Sequence, residues 1–431
     1  MRNRYIIDNK ITNKFVEIYT KTTYRIIGNN KHSAIKPCHW LEQKLMTGRE
    51  NRNCYKSIFG IQSHKCLQNT PSFPFCNHQC VFCWRDIEKG DLGSDFIVEP
   101  DEPRDLVNEM IRHHQDIIQN HLPLRRYLDN YEIMNEILYY MLKNGDSYNI
   151  NQLSNIIHVS RNKIERALIL LKNQKFINPI NDNYKIFKLE EDIKRCINSK
   201  EEIQSLIHRE LTSPDDIMQT HSEAMDPNHA AISLDGEPLL YPKISELVKE
   251  FKTRKMTTFI VTNSTLPENI ESLDSLPSQL YLTLPASNEE VYKKTCRPMI
   301  KNGWKKIKDS LDLIESLSCR TLVRLTAVKS LNVKLDKNLI KNYVKIIEKA
   351  NPNFFEIKGF TLQAKALLIK ERLKSDKPVN YYFPEYDYLE QIALKFEELG
   401  NFPLIYTNKD SRDFLFAVNW DKNKDPKLRQ P

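Results

Sequence analysis

The second half of the chain alternates short apolar runs with amphipathic stretches. HAAISLDGEP (229 to 238), TTFIVTN (257 to 263), QLYLTLPA (279 to 286), RTLVRLTAVK (320 to 329) and FFEIKGF (354 to 360) read as short strands, rich in apolar and β-branched residues. The segments between them change period. In YPKISELVKEFKTR, Ile244, Leu247, Val248 and Phe251 fall at helical spacing and line one face. Strands that alternate with helices predict an α/β chain built around a parallel sheet.

A different pattern interrupts this rhythm between Asp129 and about Lys200. NYEIMNEILYYMLKNG puts Ile133, Ile137, Leu138, Met141 and Leu142 on one face and ends at Gly145. INQLSNIIHV predicts a short second helix, and Ser160 stands as the N-cap of RNKIERALILLKNQ, whose inner stripe is Ile164, Leu168 and Leu171. FINPINDNYKIFKL then reads as two strands around an Asn/Asp turn. This is the element order of a winged helix, so the chain divides into residues 1–128, an insertion at 129–200, and residues 201–431. Arg161, Asn162, Lys163, Glu165 and Arg166 point outward on the third helix. Of these, Arg161, Lys163 and Arg166 are candidates to contact RNA phosphates. A folded insert that docks on protein, or on nothing, would show the same pattern, and a winged fold does not by itself fix a ligand.

Composition narrows the class. Of 431 residues, 40% are hydrophobic and 28% charged, which is ordinary for a globular chain and unlike a disordered one. MRNRYIIDNK lacks an apolar signal core, and no apolar run is long enough to cross a bilayer, so a cytoplasmic monomer without membrane contact is expected. The net charge of +8 suits a polyanionic partner such as RNA without requiring one. Nine cysteines in a chain with no sign of export point to metal binding rather than disulfides.

Six of the nine fall in one N-terminal region: Cys38, Cys54, Cys66, Cys76, Cys80 and Cys83. Cys196, Cys296 and Cys319 are scattered and read as small, buried, inert side chains. CNHQCVFCWRD, Cys76 to Asp86, spaces three cysteines C-x3-C-x2-C, with Phe82 and Trp84 on either side of the last. A structural zinc site wants four ligands, commonly from two C-x2-C knuckles. Only one knuckle is present, so zinc would also need His64 or His78. The alternative is a four-iron cluster on three thiolates, which leaves one iron open to a substrate's amino and carboxylate groups. The spacing resembles the signature of the radical S-adenosylmethionine (SAM) superfamily. That resemblance implies a partial (β/α)6 TIM-like barrel with its site at the C-terminal ends of the strands. Gly236, Glu237 and Pro238 follow one predicted strand and resemble the superfamily's motif for the SAM amino group, although the residues alone also fit a strand-to-helix turn. Asn263 and Ser264 end the next strand and are candidates in the same layer.

Cys38, Cys54 and Cys66 are separated by 15 and 11 residues, too irregular for a zinc knuckle but compatible with a second cluster gathered from loops. Here the resemblance becomes specific. KHSAIKPCHW, then NCYKSIFGIQSHKCLQNTPSFPFCNHQCVFCWRD, ISLDGEPLLYP, QLYLTLPAS, KKTCRP, RLTAVKSLN, EIKGFT and SRDFLFAV resemble, in the family's order, the tRNA 4-demethylwyosine synthases of wybutosine-type tRNA modification. They span nearly all of the chain apart from the insertion.

The resemblance implies two 4Fe-4S clusters, one binding SAM on Cys76, Cys80 and Cys83, and an auxiliary one on Cys38, Cys54 and Cys66. It implies a reaction that joins two carbons of pyruvate to N1-methylguanosine 37 in the anticodon loop of tRNA(Phe), closing the third ring of 4-demethylwyosine. A radical formed from SAM takes hydrogen from the N1-methyl group. Matching the family's CYK motif to Cys54, Tyr55 and Lys56 makes Lys56 the Schiff-base partner of pyruvate. The auxiliary cluster as the chelator of pyruvate is the alternative. Attack needs a neutral amine, whereas free lysine has a pKa of roughly 10.4, so burial beside a cluster or other cations is expected to lower it. Without the family, Lys56 reads as a surface lysine. Eukaryotic members carry an N-terminal flavodoxin-like domain. Here only 37 residues precede Cys38, without a phosphate loop, so an external donor of ferredoxin or flavodoxin type is expected.

For the tRNA, Arg297, Arg324, Lys329, Lys358 and Arg412 lie in family-like motifs and are candidate RNA contacts. Each is equally a structural ion pair, and arginine pairs with the carboxylates of SAM or pyruvate as well as with phosphate. Two other classes fit parts of the pattern: a two-cluster radical SAM enzyme with a different substrate, and a zinc-containing RNA-binding protein whose main tool is the winged helix.

Overall fold

The computed structural model describes residues 5–19, 22–48, 54–120, 128–145, 147–180, 186–190, 207, 211–421 and 423–428. A sheet of ten strands dominates it. In chain order these are β1 (Arg25–Ile27), β2 (Ser33–Ile35), β3 (Cys66–Thr70), β4 (His229–Ile232), β5 (Thr257–Thr262), β6 (Gln279–Thr283), β7 (Arg320–Ala327), β8 (Phe354–Gly359), β9 (Leu404–Asn408) and β10 (Asp413–Ala417). Strands β3 to β8 pair in parallel, one after the next. Antiparallel β2 and β1 extend one edge, and antiparallel β10 and β9 extend the other. Six parallel strands with helical crossovers form an open, partial barrel, the architecture that the sequence led us to expect. Both edge strands are interrupted early: β1 has three residues, and the β9 register shifts between Leu404 and Tyr406.

Each crossover helix buries the stripe its sequence supplies. In the helix Lys337–Ala350, Ile340, Tyr343, Val344 and Ile347 are buried, Asp336 caps the start by accepting from Leu339 N at 2.8 Å, and Asn351 ends it in the left-handed region. Burying an aliphatic or aromatic side chain of this size contributes roughly 1.5–3 kcal/mol, enough to hold a helix whose exposed face carries lysines. The helix Ile244–Thr253 buries Ile244, Leu247, Val248 and Phe251, the four positions given by its period.

The insertion folds around its own apolar cluster. Helices Tyr131–Asn144, Ile150–Ile157 and Arg161–Asn173 are followed by strands Ile177–Pro179 and Ile186–Leu189. A third strand, Ser147–Asn149, joins them in a small sheet with Ile186–Leu189 in the middle. This strand was not anticipated, because three polar residues carry no apolar period. Asn149 and Gln152 cap the second helix reciprocally. Ser160 occupies the N-cap of the third helix but makes no capping bond with its side chain. The cluster also takes in Ile207, Leu211 and Ile217, beyond residue 200. The Asn/Asp turn at 181–183 and Cys196 lie outside the described residues. Among the described residues, no helix is long and apolar enough to cross a membrane.

Candidate active site

The two cysteine trios lie toward opposite ends of β3. Cys66 is the first residue of that strand, and Cys76, Cys80 and Cys83 follow its last. The strand has five residues, so at about 3.3 Å per residue its ends are roughly 13 Å apart.

The second trio sits in an irregular loop pinned by arginines. Buried Arg85 donates to Pro74 O at 2.9 Å and His78 O at 3.2 Å, and its Nε faces Asp235 at 3.4 Å. Arg372 reaches over from a later helix to donate to the carbonyls of Cys83, Val81 and Arg85, while pairing with Glu88. Burial pushes the thiols of Cys76 and Cys83 up, that of Cys83 to about 11, and the Arg85 cation opposes this. For Cys80 the leading cause of its raised pKa is a hydrogen bond with the Cys296 thiol, followed by burial. Three thiols around one loop fit the donor set of an iron–sulfur cluster with an open iron.

Among the described residues, the groups close enough to share a single metal ion are different. His78, Cys80 and Cys296 offer ligand atoms within 4.8 Å of one another. The His78 ring is also bonded to Tyr292 Oη at 2.7 Å. His64, the other candidate fourth ligand, is bonded to Glu223 at 2.8 Å. Cys296 is therefore buried, as its scattered position suggested, yet it touches the cysteine loop. Its place in KKTCRP was the only sequence signal.

At the C-terminal end of β4, Gly236 has φ of +74°, and a Cβ there would lie 2.6 Å from Phe75 O and Ser72 O. Only glycine lets this turn meet the loop ahead of Cys76 so closely. Glu237 N donates to Phe75 O at 2.8 Å and completes the junction. The Glu237 carboxylate is buried and accepts from Thr262 Oγ1 at 2.7 Å, Leu239 N at 3.1 Å and Asn263 N at 2.7 Å. Most of its accepting capacity therefore holds the β4 and β5 ends together, with one lone-pair direction left on Oε2. Pro238 begins the short helix that follows. Asn263 Nδ2 donates to Asn77 Oδ1 at 2.6 Å and lies 4.0 Å from Cys76 Sγ. Ser264 has φ of +64°, and its buried hydroxyl has no partner among the described residues. These groups form one polar rim beside Cys76.

The first trio is assembled from three elements. Cys38 N-caps the helix His39–Thr47, accepting from Leu41 N at 3.4 Å; Cys54 precedes the short helix Tyr55–Phe59; Cys66 opens β3. Burial raises the thiol of Cys38 to about 11 and that of Cys66 to about 12. Lys56 is buried rather than on the surface. Its Nζ lies 5.1 Å from the Phe259 ring centroid, 5.7 Å from that of Tyr55 and 6.0 Å from that of Tyr281. Its pKa does not fall as expected. Burial lowers it and Arg324 adds to that, but Tyr55, Cys66 and Cys54 outweigh them and hold it above the ordinary lysine value.

The barrel interior passes from apolar to charged along the strands. Leu322 and Phe354 pack with Phe259, Tyr281 and Leu415 in one layer. Two residues further on, Arg324 pairs with Glu356, and beyond them Lys358 pairs with Asp413 at 2.8 Å. This corrects two of the expected RNA contacts. Arg324 is buried in an ion pair inside the barrel, and Lys358 bonds both Asp413 oxygens, so neither is a free surface cation. Arg297 donates from Nε to Gln79 O at 2.7 Å and Arg412 donates to Phe360 O at 3.1 Å over the Phe383 ring, while Lys329 lies over Tyr388. Arg161, Lys163 and Arg166 are exposed on the insertion.

Comparison with known proteins follows the same lines. Residues 196–339 match the Radical SAM superfamily. The chain is 34% identical over 348 residues to the S-adenosyl-L-methionine-dependent tRNA 4-demethylwyosine synthase of Pyrococcus horikoshii, covering 80% of this chain and 73% of that one. It is 27% identical over 423 residues to the protein of that name from Methanocaldococcus jannaschii, covering 97% and 100%. Among solved structures it superposes on TYW1 with a lysine-pyruvate adduct bound, with a TM-score of 0.62 and 25% identity over 97% of this chain and 99% of the other.

Proposed function

The chain belongs to the S-adenosyl-L-methionine-dependent tRNA 4-demethylwyosine synthases, and from that premise we propose that it condenses pyruvate with N1-methylguanosine 37 of tRNA(Phe) to build 4-demethylwyosine. The observation that carries this reading is Lys56: an amine buried inside the barrel, one residue past Tyr55 and beside a thiol trio. The solved relative with a lysine-pyruvate adduct lends it support.

In this reading Cys76, Cys80 and Cys83 hold the cluster that binds SAM, and Cys38, Cys54 and Cys66 hold a second. With SAM, such a cluster supplies a carbon radical able to take hydrogen from a methyl group. The chain's own residues do the positioning. Gly236 lets the β4 turn press against the cysteine loop, and Glu237 ties that turn to Thr262 and Asn263. The free acceptor direction of Glu237, with Asn263 and Ser264 beside it, is suited to an amino acid's ammonium and hydroxyl partners. Lys56 sheds a proton and attacks the pyruvate ketone, and the ketone oxygen leaves as water. The resulting imine tethers a small substrate where a diffusing one would rarely be in position. The target guanine has to leave its stack in the anticodon loop to reach this chamber.

The test is anaerobic. The protein is reconstituted with iron and sulfide and given SAM, dithionite, carbon-labelled pyruvate and tRNA containing N1-methylguanosine, and the digested nucleosides are weighed. A labelled tricyclic guanosine is the expected product. SAM cleavage without it would keep the radical chemistry and reject the substrate pair.

A further inference from the structure

Two buried polar atoms near Lys56 have no hydrogen-bond partner among the described residues: Arg324 Nη2 and Tyr281 Oη. Both belong to side chains that also border the lysine. Arg324 Cζ lies 4.5 Å from the Tyr281 ring centroid and 4.8 Å from that of Tyr55, the same two rings that flank Lys56 Nζ. The Arg324 side chain is 9% exposed. Its Nε is committed to Glu356, so the guanidinium is anchored on one side and presents a fixed, unpaired N–H on the other. Buried donors normally find acceptors, and a rigid guanidinium fork is suited to a carboxylate.

Arg324 pairs with Glu356, and Lys358 with Asp413. Lys358 is less suited to a ligand because both Asp413 oxygens already accept from it.

We propose that Arg324 and Tyr281 bind the carboxylate of the 2-oxo acid whose ketone carbon Lys56 attacks, and that this contact makes the site select 2-oxo acids over neutral ketones. The inference rests on the reading of Lys56 as the amine that forms the imine. In a 2-oxo acid the carboxylate is bonded directly to the ketone carbon, so one short molecule can meet the amine and the guanidinium across their shared aromatic walls. The lysine nitrogen displaces the ketone oxygen, which leaves as water, and the carboxylate undergoes no bond change. Arg324 and Tyr281 are thus positioning residues for the imine.

The test uses the full reconstituted chain. It is incubated with graded concentrations of pyruvate or its neutral amide, reduced with cyanoborohydride, and digested to measure modified Lys56 by mass spectrometry. The wild-type protein is expected to be labelled at pyruvate concentrations about ten- to a hundredfold lower than those of the amide, the scale of a charged hydrogen bond. Arg324→Gln is expected to erase most of that preference. Tyr281→Phe, which keeps the ring and removes only the hydroxyl, is expected to reduce it and stands alone if Arg324→Gln fails to fold. A merely structural role would weaken labelling by both compounds alike, so an unchanged preference in the folded variants overturns the inference. Absence of any adduct on wild-type Lys56 overturns the reading of Lys56 itself, a separate outcome.

Discussion

Cys76, Cys80 and Cys83 share one short loop whose carbonyls are gripped by two buried arginines, whereas Cys38, Cys54 and Cys66 come from a helix start, a loop end and a strand start. The first of these sites depends on local chain geometry together with two long side chains. The second depends on tertiary packing, because its three thiols meet only if the helix His39–Thr47 rests correctly on its neighbours. Leu41 and Leu45 of that helix pack with Ile118 and Ala224 from two crossover helices, and Cys38 borders this cluster. A loop site is thus guarded by hydrogen bonds, and a gathered site by the fit of helices.

The sharpest way to separate the two is to remove one thiol from each. Cys76→Ala is expected to abolish reductive SAM cleavage. Cys54→Ala is expected to leave SAM cleavage in place while eliminating the tricyclic nucleoside. Equal loss of SAM cleavage in both variants would mean that the trios act as one unit.

Arg372→Ala strips the loop of donors to three carbonyls and leaves Glu88 without its partner. An expected loss of roughly 3 kcal/mol in urea unfolding should come with lower iron occupancy at the loop and unaltered pyruvate labelling of Lys56. A change confined to Lys56 would contradict the assignment of Arg372 to the loop.

The gathered site should yield first to acid. Burial holds His114 down to about 4 while it bonds Ala224 O at 3.0 Å, and burial also lowers His221, which bonds Leu45 O at 3.0 Å. Both histidines fasten the helices behind Cys38. For His114, whose folded pKa lies below the unfolded one, the contributed stability is present above pH about 6.5 and is lost as pH falls toward 4, and His221 contributes in the same direction. For His114 the full loss is about 3 kcal/mol, since each pKa unit is about 1.4 kcal/mol. Urea midpoints measured across that range should fall with acid, and His114→Gln should flatten the slope.

The smallest effect is expected in the insertion, which supplies neither trio. Replacing Arg161, Lys163 and Arg166 together by Gln should weaken tRNA binding a few-fold and lower its salt dependence by about one phosphate contact per cation involved. Fluorescence titrations at several salt concentrations read this directly. Unchanged binding would leave the insertion without a part in holding tRNA.

What the sequence could reveal divides along the same line. The C-x3-C-x2-C spacing, the strands from 229 to 360 and the helical stripes were readable because their periods are short. The arginines behind the loop were not. Arg85 lies two residues past Cys83, but Arg372 comes from nearly 300 positions later in a stretch with no motif, and only folding brings its guanidinium to Cys83 O. Arg324 and Lys358 were singled out as cations near strand ends, yet charge says nothing about which face of a strand carries it. The β-strand period of two, counted from Leu322 and Phe354, places both inside. Lys56 was marked by its motif alone; the rings of Phe259 and Tyr281 that cover it come from distant strands, and of the groups that raise its pKa, Tyr55 and Cys54 are its neighbours in sequence while Cys66 opens β3.

Among the described residues the sheet does not close on itself, so it has two rims where unpaired backbone could recruit a strand from another molecule. One rim is the three-residue β1, too short to template an extended ladder, and the other is β9, where a register shift breaks the run of hydrogen-bonding positions. An open barrel can therefore keep its mouth accessible to a large nucleic acid without exposing a long adhesive margin. For anyone handling the protein, this shifts the concern from precipitation through strand exchange to the chemistry of its thiols in air.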